Sequence, residues 1–159
     1  MRLNIIIILL IIIITTSCDQ NSVKTISEAE IQEIEYTISS CIGWFKDKDF
    51  DLLFNVVAHD SNYISVHPNN KVVMGFEHFK ENSEVFKYEG FQYVRHELKD
   101  LTINISESGT VAWWYCILDD INTWDGQPAN WENARWTGVL EKRESNWIIV
   151  QQHFSFAAE

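Results

Sequence analysis

The chain has 159 residues, 46% of them hydrophobic and 13% aromatic, and 12 Lys and Arg against 23 Asp and Glu give a formal net charge of −11. That length suits one domain with a real core, and the acidity excludes a surface that holds nucleic acid or anionic lipid headgroups by charge. Three cysteines are too few for a disulfide scaffold, so the core has to come from apolar packing.

Residues 1–17 read as a signal peptide: Arg2 supplies the positive start, Ile5 to Ile14 the apolar run, and small polar residues lead to Cys18. The ten-residue run falls short of the about 20 residues that span a bilayer and fits a secretory apolar region. A cysteine directly after "TTS", with no Ala-x-Ala site in competition, resembles a bacterial lipoprotein signal. The expectation is lipidation at Cys18 and a cell-envelope protein held to its membrane by the lipid anchor alone; the alternative is a secreted or periplasmic protein. Removing Arg2 leaves 11 basic residues against 23 acidic ones, a mature net charge of −12. Residues 18–26 are polar and form a tether to a domain over 27–159.

Ser27 and Glu30 have the capping-box spacing, and Ile31, Ile34, Ile38, Cys41, Ile42 and Phe45 recur at helical intervals, predicting a helix over 27–46. Asp49 can cap a second helix carrying Phe50, Leu53, Phe54 and Val57. Tyr63, Ser65 and His67 then alternate with Ile64 and Val66, and Pro68-Asn69-Asn70 turns the chain into the short strand "KVVM". "GFEHFKENSEVFKY" predicts a third helix with Phe76, Phe79 and Phe86 as its stripe. After Gly90 the chain reads as strands over 91–106, 110–121, 131–143 and 147–156. Helices followed by a four-stranded antiparallel meander give an α+β domain. Cys41 and Cys116 lie in apolar periodic segments and read as buried thiols, with a bridge between them left open.

This order, together with "GWFKDKDFDLLFNVVAHD", "VMGFEHFKEN" and the closing "RWTGVLEKRESNWIIVQQHFS", resembles the nuclear transport factor 2-like, or SnoaL-like, superfamily. The resemblance implies a cone-shaped, strongly curved antiparallel sheet with three N-terminal helices on its concave side and a pocket inside. It also implies pairing of two copies through the outer sheet face. Isomerases, dehydratases and plain binding modules share such cones, so residues rather than fold must choose among them.

Steroid-isomerase-like members carry an aspartate base just before a proline on the first strand; His67 holds that place here. Histidine can accept and return protons near neutrality. Tyr63, Ser65 and His67 share one strand face, which is expected to look into the cone. Scytalone-dehydratase-like members use histidines and tyrosines around a water, roles that His67, His96 and Tyr115 could imitate. Trp113 and Tyr115 share a face and suit an aromatic-lined pocket, or equally core and interface packing. Counting back from the turn at 143–146 sets His153 opposite Thr137 and Ser155 opposite Arg135, a cross-strand polar cluster. It could hold an anionic or hydroxylated ligand or simply fix sheet register.

The resulting reading is a domain that binds a small, partly apolar molecule in its cone, with His67 as the catalytic candidate and Tyr63, Trp113, Tyr115, Arg135 and His153 as ligand-binding candidates. No metal or cofactor is expected, since the chain carries no nucleophile elbow, phosphate loop or zinc-ligand spacing. Two rivals stand beside it. One is a cofactor-free lyase or isomerase with His67 as general base; the other is a dimeric interaction module whose cone is filled by its own aromatics.

Overall fold

The computed structural model describes residues 27–158; the leader, Cys18 and the tether lie outside the described residues. Helix α1 spans Glu28–Gly43, and its cap is the expected one: Ser27 Oγ accepts from the Glu30 amide at 3.2 Å. It ends in a 3-10 turn at Trp44–Lys46. Asp49 then opens the short helix α2, Phe50–Asn55, by accepting from the Leu52 amide at 2.9 Å. A hairpin follows, β1 Ile64–Val66 and β2 Val72–Met74. Gly75, at φ +82°, starts α3, Phe76–Ser83, and a 3-10 turn over Glu84–Lys87 completes the predicted third helix. The long strands are β3 Phe91–Ile105, β4 Val111–Trp124, β6 Trp131–Arg143 and β7 Asn146–Ser155, with a two-residue β5 at Gln127–Pro128.

These strands form one sheet in the order β2-β1-β7-β6-β4-β3, with β5 on β4. Strands β3, β4, β6 and β7 make the expected meander. One expectation is corrected: the sheet is mixed, because β1 runs parallel to β7, pairing Ile64 with Gln151 and Val66 with His153. Parallel neighbours need a long crossover, and the whole helical and meander portion between residues 66 and 151 supplies it.

The sheet curls into half a barrel with the helices in its concavity. Register shifts on β3, between Tyr93 and Arg95 and between Lys99 and Thr102, accompany the bend, as extra residues in a ladder do. The same device reverses a face on β7. Val139 pairs with Gln151 but Leu140 with Ile149, so Val150 is the extra residue. Before it, odd positions face the core (Trp147, Ile149); after it, even positions do (Gln152, Phe154).

Ile34, Ile38, Leu53, Leu118, Leu140, Trp114 and Trp136 are nearly or wholly buried. Trp136 stacks on Phe154 at 5.3 Å and meets Trp114 edge-on at 5.4 Å, contacts worth about 1 kcal/mol each beyond their burial. Trp114 lies across Gly138, where a Cβ would fall inside the indole and 2.5 Å from the Gln151 carbonyl. Glycine is required there by close approach. Cys41 and Cys116 are buried and unbridged.

Candidate functional site

Strand β4 builds the inside of the cone from its even positions. Ala112, Trp114, Cys116 and Leu118 are buried, and the same face continues into Asp120 and Asn122, 7% and 3% exposed. Those two carboxamide and carboxylate groups line a cavity of about 230 Å³. Its walls are largely aromatic, among them Trp44, Phe45, Phe86, Phe91, Trp131 and Phe154; its other polar lining comes from Ser83, His67 and Gln152.

Most of these polar groups are already occupied. Ser83 Oγ donates to the Phe79 carbonyl at 2.8 Å. Gln152 Nε2 donates to Tyr63 Oη at 2.7 Å, while its Oε1 accepts from Trp136 Nε1 at 3.2 Å and from Cys41 Sγ at 3.6 Å. Burial pushes the Cys41 thiol up to about 12 and the Tyr63 phenol well above its ordinary value. Both stay protonated, and the network serves as a fixed floor. His67 Nε2 lies 3.2 Å from Ser65 Oγ, and its ring packs 6.0 Å from Trp131 and 5.9 Å from Phe154. Burial, and next the charge of Lys71, hold His67 below the ordinary histidine value, so it is neutral near pH 7.

Asp120 differs from the others. Among the described residues, its Oδ1 and Asn122 Oδ1 are buried without a hydrogen-bond partner. Burial raises the Asp120 carboxyl to about 6, and a hydrogen bond from the Asn122 side chain offsets only part of that. His96 is its cross-strand neighbour on β3. That ring instead uses Nδ1 on Tyr93 Oη at 3.0 Å and packs beside Gly43; burial lowers its pKa.

The sequence-predicted residues thus divide. His67 lines the cavity. Tyr63 faces inward and is wholly buried, with its hydroxyl bonded to Gln152 beneath the cavity. Trp113 and Tyr115 do not line the pocket: they stand on the convex face, 46% and 41% exposed. Arg135 and His153 do pair with Ser155 and Thr137 in the expected register, but both are exposed on that outer face. The reason for His153 is the extra residue at Val150, which turns the last part of β7 over. Asp120 was not singled out from the sequence. Its signal was parity: Ala112 and Cys116, among the most often buried residue types, mark the even face of β4 as interior, and Asp120 lies on it.

A strongly curled sheet with helices packed in its concavity is the architecture of the cone-shaped α+β class. Residues 34–159 match the family model described as the SnoaL-like domain, and the chain belongs to that family. No curated protein matches the sequence. Among solved structures it is similar to a protein of unknown function from Mycobacterium tuberculosis, with 14% identity and a TM-score of 0.68 over 82% of this chain and 73% of that one. It is also similar to a candidate dehydratase of the NTF2-like family from Streptomyces avermitilis, with 15% identity and a TM-score of 0.67 over 82% and 98%. An NTF2-like protein of unknown function from Pseudomonas putida gives 17% identity and a TM-score of 0.66 over 84% and 90%. At these identities the likeness is one of fold.

Proposed function

We propose that this domain binds a small, partly apolar molecule in its cone. The observation that carries the reading is the pairing of an aromatic cavity with two buried acceptors, Asp120 Oδ1 and Asn122 Oδ1, that no group among the described residues satisfies. Leaving a buried polar atom unbonded costs about 1–3 kcal/mol, and a bound ligand recovers it by donating to either side chain once that side chain turns its oxygen into the cavity. Native mass spectrometry of the purified protein tests this: a retained mass released on denaturation is expected. Repeated ligand-free spectra, with no change in the cavity tryptophans' fluorescence across a panel of small hydroxylated and amine-bearing aromatics, would refute it.

A second reading has one specific observation in its favour. Asp120, raised to about 6, and His67, held below its ordinary value, are two titratable groups on one cavity. Proton transfer near neutral pH is efficient from groups tuned this way, which suits a cofactor-free lyase or isomerase; the structural likeness to a candidate dehydratase agrees with it. His67→Gln would then abolish turnover while leaving ligand retention in place.

The convex face carries exposed Trp113, Tyr115, Met74 and Val72, which supports pairing with a second copy through the outer sheet, read out as a dimer mass in the same spectra. Attachment of the domain to a membrane of the cell envelope would follow from lipidation at Cys18, and a Cys18→Ser chain would then partition into the soluble fraction.

A further inference from the structure

We infer that the cone's ligand is a small organic cation, a protonated amine on an apolar body, with Asp120 as its counter-ion. The inference rests on the pocket reading above and names the ligand's chemistry. A carboxylate at 7% exposure is costly to ionise unless a charge of opposite sign sits beside it. The described residues do not provide one. Among the described residues no Lys, Arg or His forms an ion pair with Asp120, whose only side-chain donor is the neutral Asn122 amide. His96, its cross-strand neighbour, is engaged with Tyr93, and His67, on the same cavity, with Ser65. Lys99 and Arg95 are drawn instead to Asp119, one residue away and on the opposite face, at 3.0 and 3.9 Å.

The walls complete the argument. An aliphatic cavity would oppose a cation, but aromatic faces attract one, by about 2 kcal/mol or more when it is desolvated. One lining ring has a cation beside it already: Lys48 Nζ, held by the Tyr88 carbonyl at 2.8 Å, lies 5.9 Å from the centroid of Phe91. Asp120 and Asn122 both line the cavity, and a small turn of either side chain would bring its unpartnered Oδ1 to an ammonium N–H; an anion or a ligand offering only acceptors can satisfy neither. An apolar cavity of about 150 Å³ admits benzene, so one of about 230 Å³ admits a single ring with a short amine arm. The acidic chain, at −11, adds a long-range field of the same sense.

The test uses three probes of one shape at pH 7.5: 2-phenylethylammonium, 2-phenylethanol and 3-phenylpropionate, titrated calorimetrically into the purified wild-type protein and Asp120→Asn. The ammonium should bind at least tenfold more tightly than the alcohol, and the carboxylate should not bind. In Asp120→Asn the ammonium should fall to the affinity of the alcohol, whose own affinity stays within twofold. Equal binding of ammonium and alcohol to wild type, or an ammonium affinity untouched in Asp120→Asn, overturns the cation and leaves the pocket standing. Absence of binding by all three overturns the pocket reading together with the cation.

Discussion

Asp120→Asn should make the protein more stable above neutral pH and leave its stability unchanged in acid. In the folded chain the carboxyl titrates at about 6 instead of 3.8, because burial disfavours its charged form. For a carboxylate raised in this way, the stabilisation is complete below pH 3.8 and is lost as the pH rises through about 6. The gap between those values corresponds to about 3 kcal/mol. Wild type therefore loses about 3 kcal/mol at this site between pH 3 and pH 8, while the neutral amide loses nothing. For a domain of this size 1 kcal/mol moves the melting temperature by roughly 3–5 °C, so the variant should melt about 10 °C higher at pH 8. At pH 3 the two should coincide. Thermal unfolding followed by circular dichroism at half-unit intervals of pH would trace the two curves. Parallel curves across the whole range would refute the reasoning, because they would mean that the carboxylate carries no burial penalty.

Gly138→Ala should destabilise the fold by about 3 kcal/mol in urea unfolding, since the added methyl overlaps the Trp114 ring and overpacking costs about 1–3 kcal/mol; a neutral effect would mean that the strands can separate there. Gln152→Leu keeps the volume but leaves Trp136 Nε1 without its acceptor and Tyr63 Oη without its Gln152 donor. At about 1–3 kcal/mol per unsatisfied group, the expected loss is about 3 kcal/mol, and a loss below 1 kcal/mol would count against the network. By NMR titration His67 should have a pKa below 6.5, and Lys71→Gln should raise it without reaching 6.5, because burial is the larger cause and Lys71 the smaller. A wild-type value above 6.5 would show that the ring is more hydrated than its packing implies.

Much of the fold could be read from the chain because its signals are local. Ser27 and Asp49 cap the helices they were expected to cap, and the turn at 143–146 sets β6 against β7, with Arg135 reaching Ser155 through the one-residue shift at Val150. Which way a strand faces was harder. In "VAWWYCIL" both alternating sets are apolar, so hydrophobicity alone assigns no inside, and Trp113 and Tyr115 looked as suitable for a pocket as Trp114. On β7 a single extra residue at Val150 reverses the alternation, and "IIVQQHF" shows no glycine to announce it. Asp120 was obscured by its neighbour. "DD" reads as a solvated pair, yet Asp119 turns outward to Lys99 and the Asn133 amide while Asp120 turns inward. The β1–β7 pairing joins segments too distant in sequence for any local pattern to disclose.

That pairing has a kinetic consequence. The hydrogen bond that fixes the cavity floor, Gln152 to Tyr63, links residues 89 positions apart, whereas β3, β4, β6 and β7 each meet a neighbour across a short turn. Closing a long loop is entropically dearer and slower than zipping a hairpin. The meander should therefore assemble before the cone exists, and Ile64–Val66 should dock last. In pulse-labelled hydrogen exchange the amides of β4 and β6 should gain protection ahead of those of β1. Until β1 arrives, Tyr63 is not held against Gln152, so the floor of the cone would be fixed only at the completion of folding.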